Sequence, residues 1–510
     1  MENKVPVLSG IEPRPYQVDA FRKALNSNLL LVLPTGLGKT LVSAMLAYTY
    51  MKEGKKVIML SPTRPLVLQH YETMSKLFSA EKFTISALTG QNPADERMSL
   101  WAQSDMIIST PQTVNNDIKR EIVFLGKFYL LIVDEAHRAT GNYAYVSVSN
   151  AIMELPGRRI LAMTASPGAH SEKIEEIKQN LSIRDVVIKT DEDPDIIPYV
   201  KGSVINPVFL KMSIEQEKCI QYLQRCKDGL MAPLQKRFDF VRLRASRAEM
   251  SKYIKELSAR AVAGENALFG VIPSFTAVVR LDVLMEYIET QGMEIGASYL
   301  EELKNSQERS IQRTYSILNG DENFRNGVLF LQNLSSYENP KFREVLKMCE
   351  SMLVVNPGSK CIVFTHYRKT SEFIYRYLLD HSTSIKPMRF VGQAGKEKDP
   401  GMSQKEQKEK INEFIEGKYN VMLATSVAEE GLDIPATDMV IFYEPVASEI
   451  RSIQRRGRTG RFREGMVHIL IFSQTRDQAY YYASLRKEKT MVYRMKHDMG
   501  VKKSKKIDEY

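Results

Sequence analysis

"LVLPTGLGKT", Leu31–Thr40, decides how the first part of the chain folds. An apolar run stops at a proline, passes two glycines and ends on Lys39 and Thr40. The stretch is a shortened GxxxxGK[ST] phosphate loop, with Leu33 in place of the pattern's first glycine and the rest intact. Gly36 and Gly38 let backbone N–H groups curl around phosphate oxygens with no Cβ in the way. Pro34, Thr35 and Leu37 complete the cradle. In such a loop Lys39 reaches the β- and γ-phosphates, and the Thr40 hydroxyl ligates Mg²⁺. The segment that follows, "TLVSAMLAYTY", has helical character and would aim its N-terminal dipole at the anion. The alternative is a plain glycine turn. The strand–loop–helix context favours phosphate.

Working outward, "LLLVLP", "KVIMLSP", "DMIISTP", "LLIVDEAH" and "RILAMTASP" each read as a buried strand ending in a turn or polar cluster. Helical periodicity lies between several of them, which predicts an α/β domain on a parallel sheet over residues 1–195. Residues 189–203, acidic and with two prolines, read as a linker. Strand-like runs then nearly vanish, and helical periodicity predicts a linker and helical insert over 196–345. Strands resume in "SKCIVFTHYR", "MRFVG", "YNVMLATS", "DMVIFYE" and "MVHILIFS", a second α/β domain over 346–490. Residues 491–510 form a lysine-rich tail, expected to fray.

Two further motifs carry chemistry. "LLIVDEAH", Leu130–His137, delivers two adjacent carboxylates at the end of a buried strand, where ligand sites of α/β sheets lie. Asp134 can hold Mg²⁺ together with Thr40, and Glu135 can polarise the attacking water. "IQRRGRTGR", Ile453–Arg461, places Arg458 and Arg461 three apart, on one face if helical. An arginine at a γ-phosphate stabilises transition-state charge, an effect on the order of 10³ to 10⁵ in rate. A solvated acidic turn and a basic surface helix are the respective alternatives. Three motifs in order weigh against both.

The formal net charge of +10 suggests a polyanionic partner. Hydrophobic residues make up 43% and charged residues 26%, the composition of a globular protein. No apolar run long enough to span a bilayer is apparent, and "MENKVPVLSG" has no apolar signal core. The four cysteines form no CxxC pair, so neither a zinc site nor a disulfide framework is expected, and a reducing cytoplasmic setting fits.

Together these residues resemble a DEAH-lettered superfamily 2 helicase, and more closely the Hef/FANCM family of fork-DNA translocases. "RPYQ" resembles the adenine-reading Q-type motif, with Gln17 on the base and Arg14 nearby. "PTGLGKT" matches motif I, "SPTRPLVLQH" motif Ia, "VDEAH" motif II and "TAS" motif III; "LTGQ" and "STPQT" match strand contacts. "IVFTHYR" matches motif IV, "ATSVAEEGLDIP" motif V and "QRRGRTGR" motif VI. The resemblance implies two RecA-like domains that clamp ATP. It gives Thr164 and Ser166 the coupling of ATP state to closure, and it brings Gly431 and Asp433 near the nucleotide. It places Gln454, Arg458 and Arg461 in the catalytic set with Lys39 and Glu135. It sets Pro62, Thr63, Arg64, Gln69, Gly90, Thr110, Thr365, Arg368 and Thr425 along the nucleic-acid backbone. Such contacts fix register without reading sequence. Full-length Hef proteins carry a nuclease domain and a helix-hairpin-helix tail. Neither signature is found here, which leaves a separate nuclease or repair partner open.

The insert adds a signal of its own. Residues 236–260 are rich in cations, among them Arg242, Arg244 and Arg247, interleaved with Phe238, Phe240 and Tyr253. One basic helix gripping a duplex backbone is the functional expectation. A solvated face with aromatics turned into the core is the other. The chain is expected to be an ATP- and Mg²⁺-dependent DNA helicase or translocase acting on duplex, forked or branched DNA. An RNA helicase or double-stranded-RNA-binding ATPase is the alternative. An inactive binding module would be expected to lack Lys39, Glu135 or a motif VI arginine, and all are present. A GTPase would be expected to carry NKxD, which is missing.

Overall fold

The computed structural model describes residues 5–34, 36–165, 171–190, 193–199, 204–242, 245–392, 401–425, 437–445 and 466–497. The first sheet contains β1 (Leu29–Val32), β2 (Lys56–Leu60), β3 (Ile85–Leu88), β4 (Met106–Ser109), β5 (Phe128–Val133), β6 (Arg159–Thr164) and β7 (Asp185–Ile188). Its order is β3-β4-β2-β5-β6-β1-β7, and every pair is parallel. β1, β4 and β5 are buried almost throughout because helices cover both faces, which is why they read as unbroken apolar runs. The two faces carry separate cores, one around Leu31, Met45 and Met59, the other around Val32, Ile58 and Tyr145.

The second sheet contains β8 (Val204–Leu210), β9 (Cys361–Phe364), β10 (Pro387–Phe390), β11 (Val421–Ala424), β12 (Met439–Phe442) and β13 (Met466–Phe472). Its order is β10-β11-β9-β12-β13-β8, again parallel. All ten strands expected from the sequence are present. The three added ones, β3, β7 and β8, lie at sheet edges. β8 comes from the stretch expected to be linker and insert, and it includes Pro207, a residue an edge strand tolerates because one side needs no ladder bond. Residues 193–199 of the expected linker are docked rather than loose. Ile196 is fully buried in the first core, and the Tyr199 ring meets Tyr16 edge-on at 5.7 Å.

The insert is helical, with helices Ile214–Arg237, Arg247–Val262, Ile272–Thr290, Met293–Lys304, Arg309–Gly320 and Glu322–Gln332. Ser213 caps the first through a reciprocal bond with Gln216, and Ser246 caps the second with Glu249. The single basic helix expected over 236–260 is not formed. One helix ends at Arg237 and the next begins at Arg247, where the Ser246 cap restarts the backbone. Phe238, Phe240 and Tyr253 turn inward against Phe275 and Val278. The aromatics therefore belong to the core, which is the bland alternative.

Against expectation, Asn266–Thr290 does have the length and hydropathy of a membrane span. It is a short 3-10 turn, Asn266–Gly270, followed by helix Ile272–Thr290 at the centre of the insert. Its apolar side chains pack into two cores, while Asp282 and Glu286 make ion pairs. These pairs also anchor the insert to the second domain. Asp282 binds Lys227 and Arg247 within the insert and Arg476 from helix Arg476–His497. Lys341 is fully buried and donates to Thr290 O, Tyr443 O and Asp477 Oδ2.

Candidate nucleotide site and nucleic-acid track

The phosphate loop leaves β1 and ends in helix Lys39–Lys52. Gly36 and Gly38 hold φ of +87° and +81°, the left-handed region where a side chain is strained. Gly38 is also crowded, since a Cβ there would lie 2.2 Å from Gln17 Nε2. Gln17 is buried and uses its amide on the protein itself. Nε2 donates to Leu37 O at 3.0 Å, and Oε1 accepts from Arg14 N at 2.8 Å. Tyr16 donates to the same Leu37 carbonyl, and Arg14 donates to the Tyr16 hydroxyl. The Arg14 guanidinium also lies 4.5 Å over the Tyr199 ring. The Q-type residues thus brace the phosphate loop from behind.

Lys39 Nζ donates to Leu33 O at 2.7 Å, and its charge acts on Asp134. Asp134 follows β5, and its N–H donates to Leu60 O at the end of β2. Burial would raise the Asp134 pKa. The hydrogen bond and charge of His70, with Lys39 and the Glu135 N–H, outweigh burial and hold it below the usual value. Tyr145, itself buried, donates to the Asp134 carbonyl at 2.6 Å.

Glu135 sits at φ 49°, ψ 49°, a left-handed conformation for a residue with a Cβ. His137 links it to the next strand, with Nδ1 3.2 Å from Glu135 Oε2 and 3.2 Å from Thr164 Oγ1. Thr164 ends β6, and its carbonyl accepts from Leu33 N at the root of the phosphate loop. One connected set therefore joins the phosphate loop, the two carboxylates and the threonine expected to report closure. His137 and His70 were not singled out from the sequence, although both lie inside quoted motifs.

Two sequence families match the chain. The DEAD/DEAH box helicase family covers residues 14–174, and the helicase conserved C-terminal domain covers 341–463. The chain is 35% identical to the Pyrococcus furiosus Hef helicase domain, with a TM-score of 0.73, covering 94% of this chain and 100% of that one. The chain belongs to the Hef/FANCM family of superfamily 2 helicases. A Methanocaldococcus jannaschii relative, named as an ATP-dependent RNA helicase, is 36% identical over 94% of this chain and 60% of its own length. The Sclerotinia sclerotiorum ATP-dependent DNA helicase mph1 is 32% identical over 92% of this chain and 40% of its own length. The chain thus spans less than two thirds of these two relatives.

In this Hef-type frame the expected track residues follow strand ends. Pro62, Thr63 and Arg64 follow β2, Gly90 follows β3, and Thr110 follows β4. Thr63 Oγ1 and Arg64 Nε are buried with no hydrogen-bond partner among the described residues. Gln69 is half-buried on helix Arg64–Leu77. Thr365 is a correction. It is fully buried, and its hydroxyl donates to Tyr367 O, so it shapes the turn and is closed to a strand. Arg368 donates to Gly392 O, and Thr425 is buried after β11.

Arg247 is a second correction. It is held by Asp282 and Glu286, so its charge is already matched. Arg242 is open to solvent, 3.6 Å from Glu249. Thr35, Ser166, Arg244, Gly431, Asp433, Gln454, Arg458 and Arg461 lie outside the described residues.

Proposed function

We propose that the chain is an ATP-dependent DNA helicase or translocase that acts on duplex, forked or branched DNA in repair or replication-fork processing. The observation that carries this reading is the connected set of Lys39, Asp134, Glu135, His137 and Thr164 at the strand ends of the first sheet. That is where a hydrolysis step can be coupled to movement of a second domain.

The donor set fits Mg²⁺. A carboxylate kept ionised and a threonine hydroxyl at the loop are hard oxygen ligands, and Mg²⁺ is usually held by one or two such groups plus substrate phosphates. Asp134 and Thr40 would hold it, and it would neutralise charge building on the phosphate oxygens. Lys39 binds the phosphates and Glu135 orients and polarises water, while Gln17 and Arg14, expected to read the base, instead hold the phosphate loop in shape because the Gln17 amide is spent on Leu37 and Arg14. Arg458 and Arg461, with Gln454, Gly431 and Asp433, act from the second domain when the cleft closes. Transition-state charge is then stabilised only in the closed form, which ties turnover to motion along the strand.

DNA is favoured by the S. sclerotiorum mph1 relative, which is named as an ATP-dependent DNA helicase. RNA is the second reading, favoured by the name of the M. jannaschii relative. ATPase rates with single-stranded, duplex, forked and four-way DNA, beside matched RNAs, decide between them. The largest stimulation is expected with forked or branched DNA. Equal or greater stimulation by RNA would sink the DNA reading.

A further inference from the structure

His70 lies on helix Arg64–Leu77, which also carries Arg64 and Gln69 of the expected track. The helix buries one face through Val67, His70 and Met74. On that face the ring nitrogen Nε2 is 2.8 Å from Asp134 Oδ2, and the two side chains are 9% and 10% exposed. Toward an ionised carboxylate the nitrogen donates. Asp134 is thus gripped by its own backbone N–H on Leu60 O and by His70 on its carboxylate.

A carboxylate that holds a metal needs its second oxygen fixed, or it loses time in unproductive rotamers. Outer partners of this kind typically change metal affinity by about 10- to 100-fold. We propose that His70 is a positioning residue: it orients Asp134 for the divalent metal, and because it rides on the track helix it makes metal affinity respond to a bound strand. This rests on Asp134 being the metal ligand, as read above. Arg64 and Gln69, half-buried on the same helix, are where a strand would pull on it.

The test measures Mn²⁺ binding by electron paramagnetic resonance, with ADP present and no turnover. His70→Ala should weaken Mn²⁺ by about 10- to 100-fold, while metal-free nucleotide affinity in EDTA stays unchanged. His70→Gln, with an amide donor of similar reach, should recover most of the loss. Forked DNA should strengthen Mn²⁺ binding in the parent and fail to do so in His70→Ala. Asp134→Asn is the control. If it loses Mn²⁺ while His70→Ala does not, the positioning role is wrong and the metal site stands. If Asp134→Asn binds Mn²⁺ normally, the metal reading itself is wrong. An equal DNA effect in parent and His70→Ala overturns the coupling.

Discussion

Glu135 occupies a backbone conformation that costs a residue with a Cβ about 1–3 kcal/mol. The contact with His137 and the adjacent Asp134 bonds hold it there, so its carboxylate is aimed by the fold rather than by chance rotamers. Glu135→Gln should keep ATP affinity within about threefold and lower turnover by roughly 10² or more, since water polarisation is lost while the phosphate contacts survive. Nucleotide titration beside steady-state rates checks it, and near-normal turnover would refute the role. Gly38 tests the neighbouring loop. An alanine there meets both the positive φ and Gln17 Nε2, at a strain of about 1–2 kcal/mol. Gly38→Ala should weaken ATP binding by about tenfold, equivalent to ~1.4 kcal/mol. Unchanged affinity, measured with a fluorescent ATP analogue, would show that the loop relaxes at no cost.

At the scale of elements, the insert separates two kinds of cation. Arg247 is spent on Asp282 and Glu286, whereas Lys252 and Lys255 stand exposed three apart on helix Arg247–Val262. Residues at that spacing share a face. Changing Lys252 and Lys255 to Ala should flatten the plot of log affinity against log salt on forked DNA by about 0.9 for each phosphate that is no longer neutralised. Arg247→Ala should leave that slope alone and lower stability by about 1 kcal/mol, because its pairs are partly exposed. Salt titrations and denaturant melts of the same variants separate the two. A flattened slope in Arg247→Ala alone would restore it to the DNA-facing set.

At the scale of the whole molecule, buried polar groups tie the insert to the cap of helix Pro340–Val355, which packs into the core of the second domain. Glu294 opens helix Met293–Lys304 and accepts from Asn339 Nδ2 at 3.0 Å. Burial pushes its carboxyl up to about 7. The unfolded chain ionises near the ordinary value of about 4.3, so between that value and about pH 7 the unfolded state loses its proton first. The folded state is therefore penalised as pH rises through that window, by about 1–3 kcal/mol once partial exposure is allowed for. Thermal melts should give a higher Tm at about pH 5 than at about pH 8 from this group. Glu294→Gln should reduce that difference and raise Tm at the alkaline end. An unaltered pH profile in the variant would show that Glu294 is ionised at little cost in the fold.

The sequence by itself determined the parallel α/β halves, the helical insert and the nucleotide site. Central strands buried on both faces must be apolar throughout, and a phosphate loop needs its glycines and lysine in order along the chain. Such requirements are local, so they are written locally. Tertiary structure decided what depends on distant partners. β3, β7 and β8 form at sheet edges, where one side goes unpaired and a strand is defined by its neighbour more than by its own pattern. Residues 236–260 showed charge but not the break before Arg247 or the pairing of Arg247 with Asp282, 35 residues on. A histidine among apolar neighbours at i−3 and i+4 was a visible oddity in "SPTRPLVLQH" and the residues after it. Only the pairing of β2 with β5 brings His70 onto Asp134, because side-chain geometry across 64 residues is set by packing and not by sequence spacing.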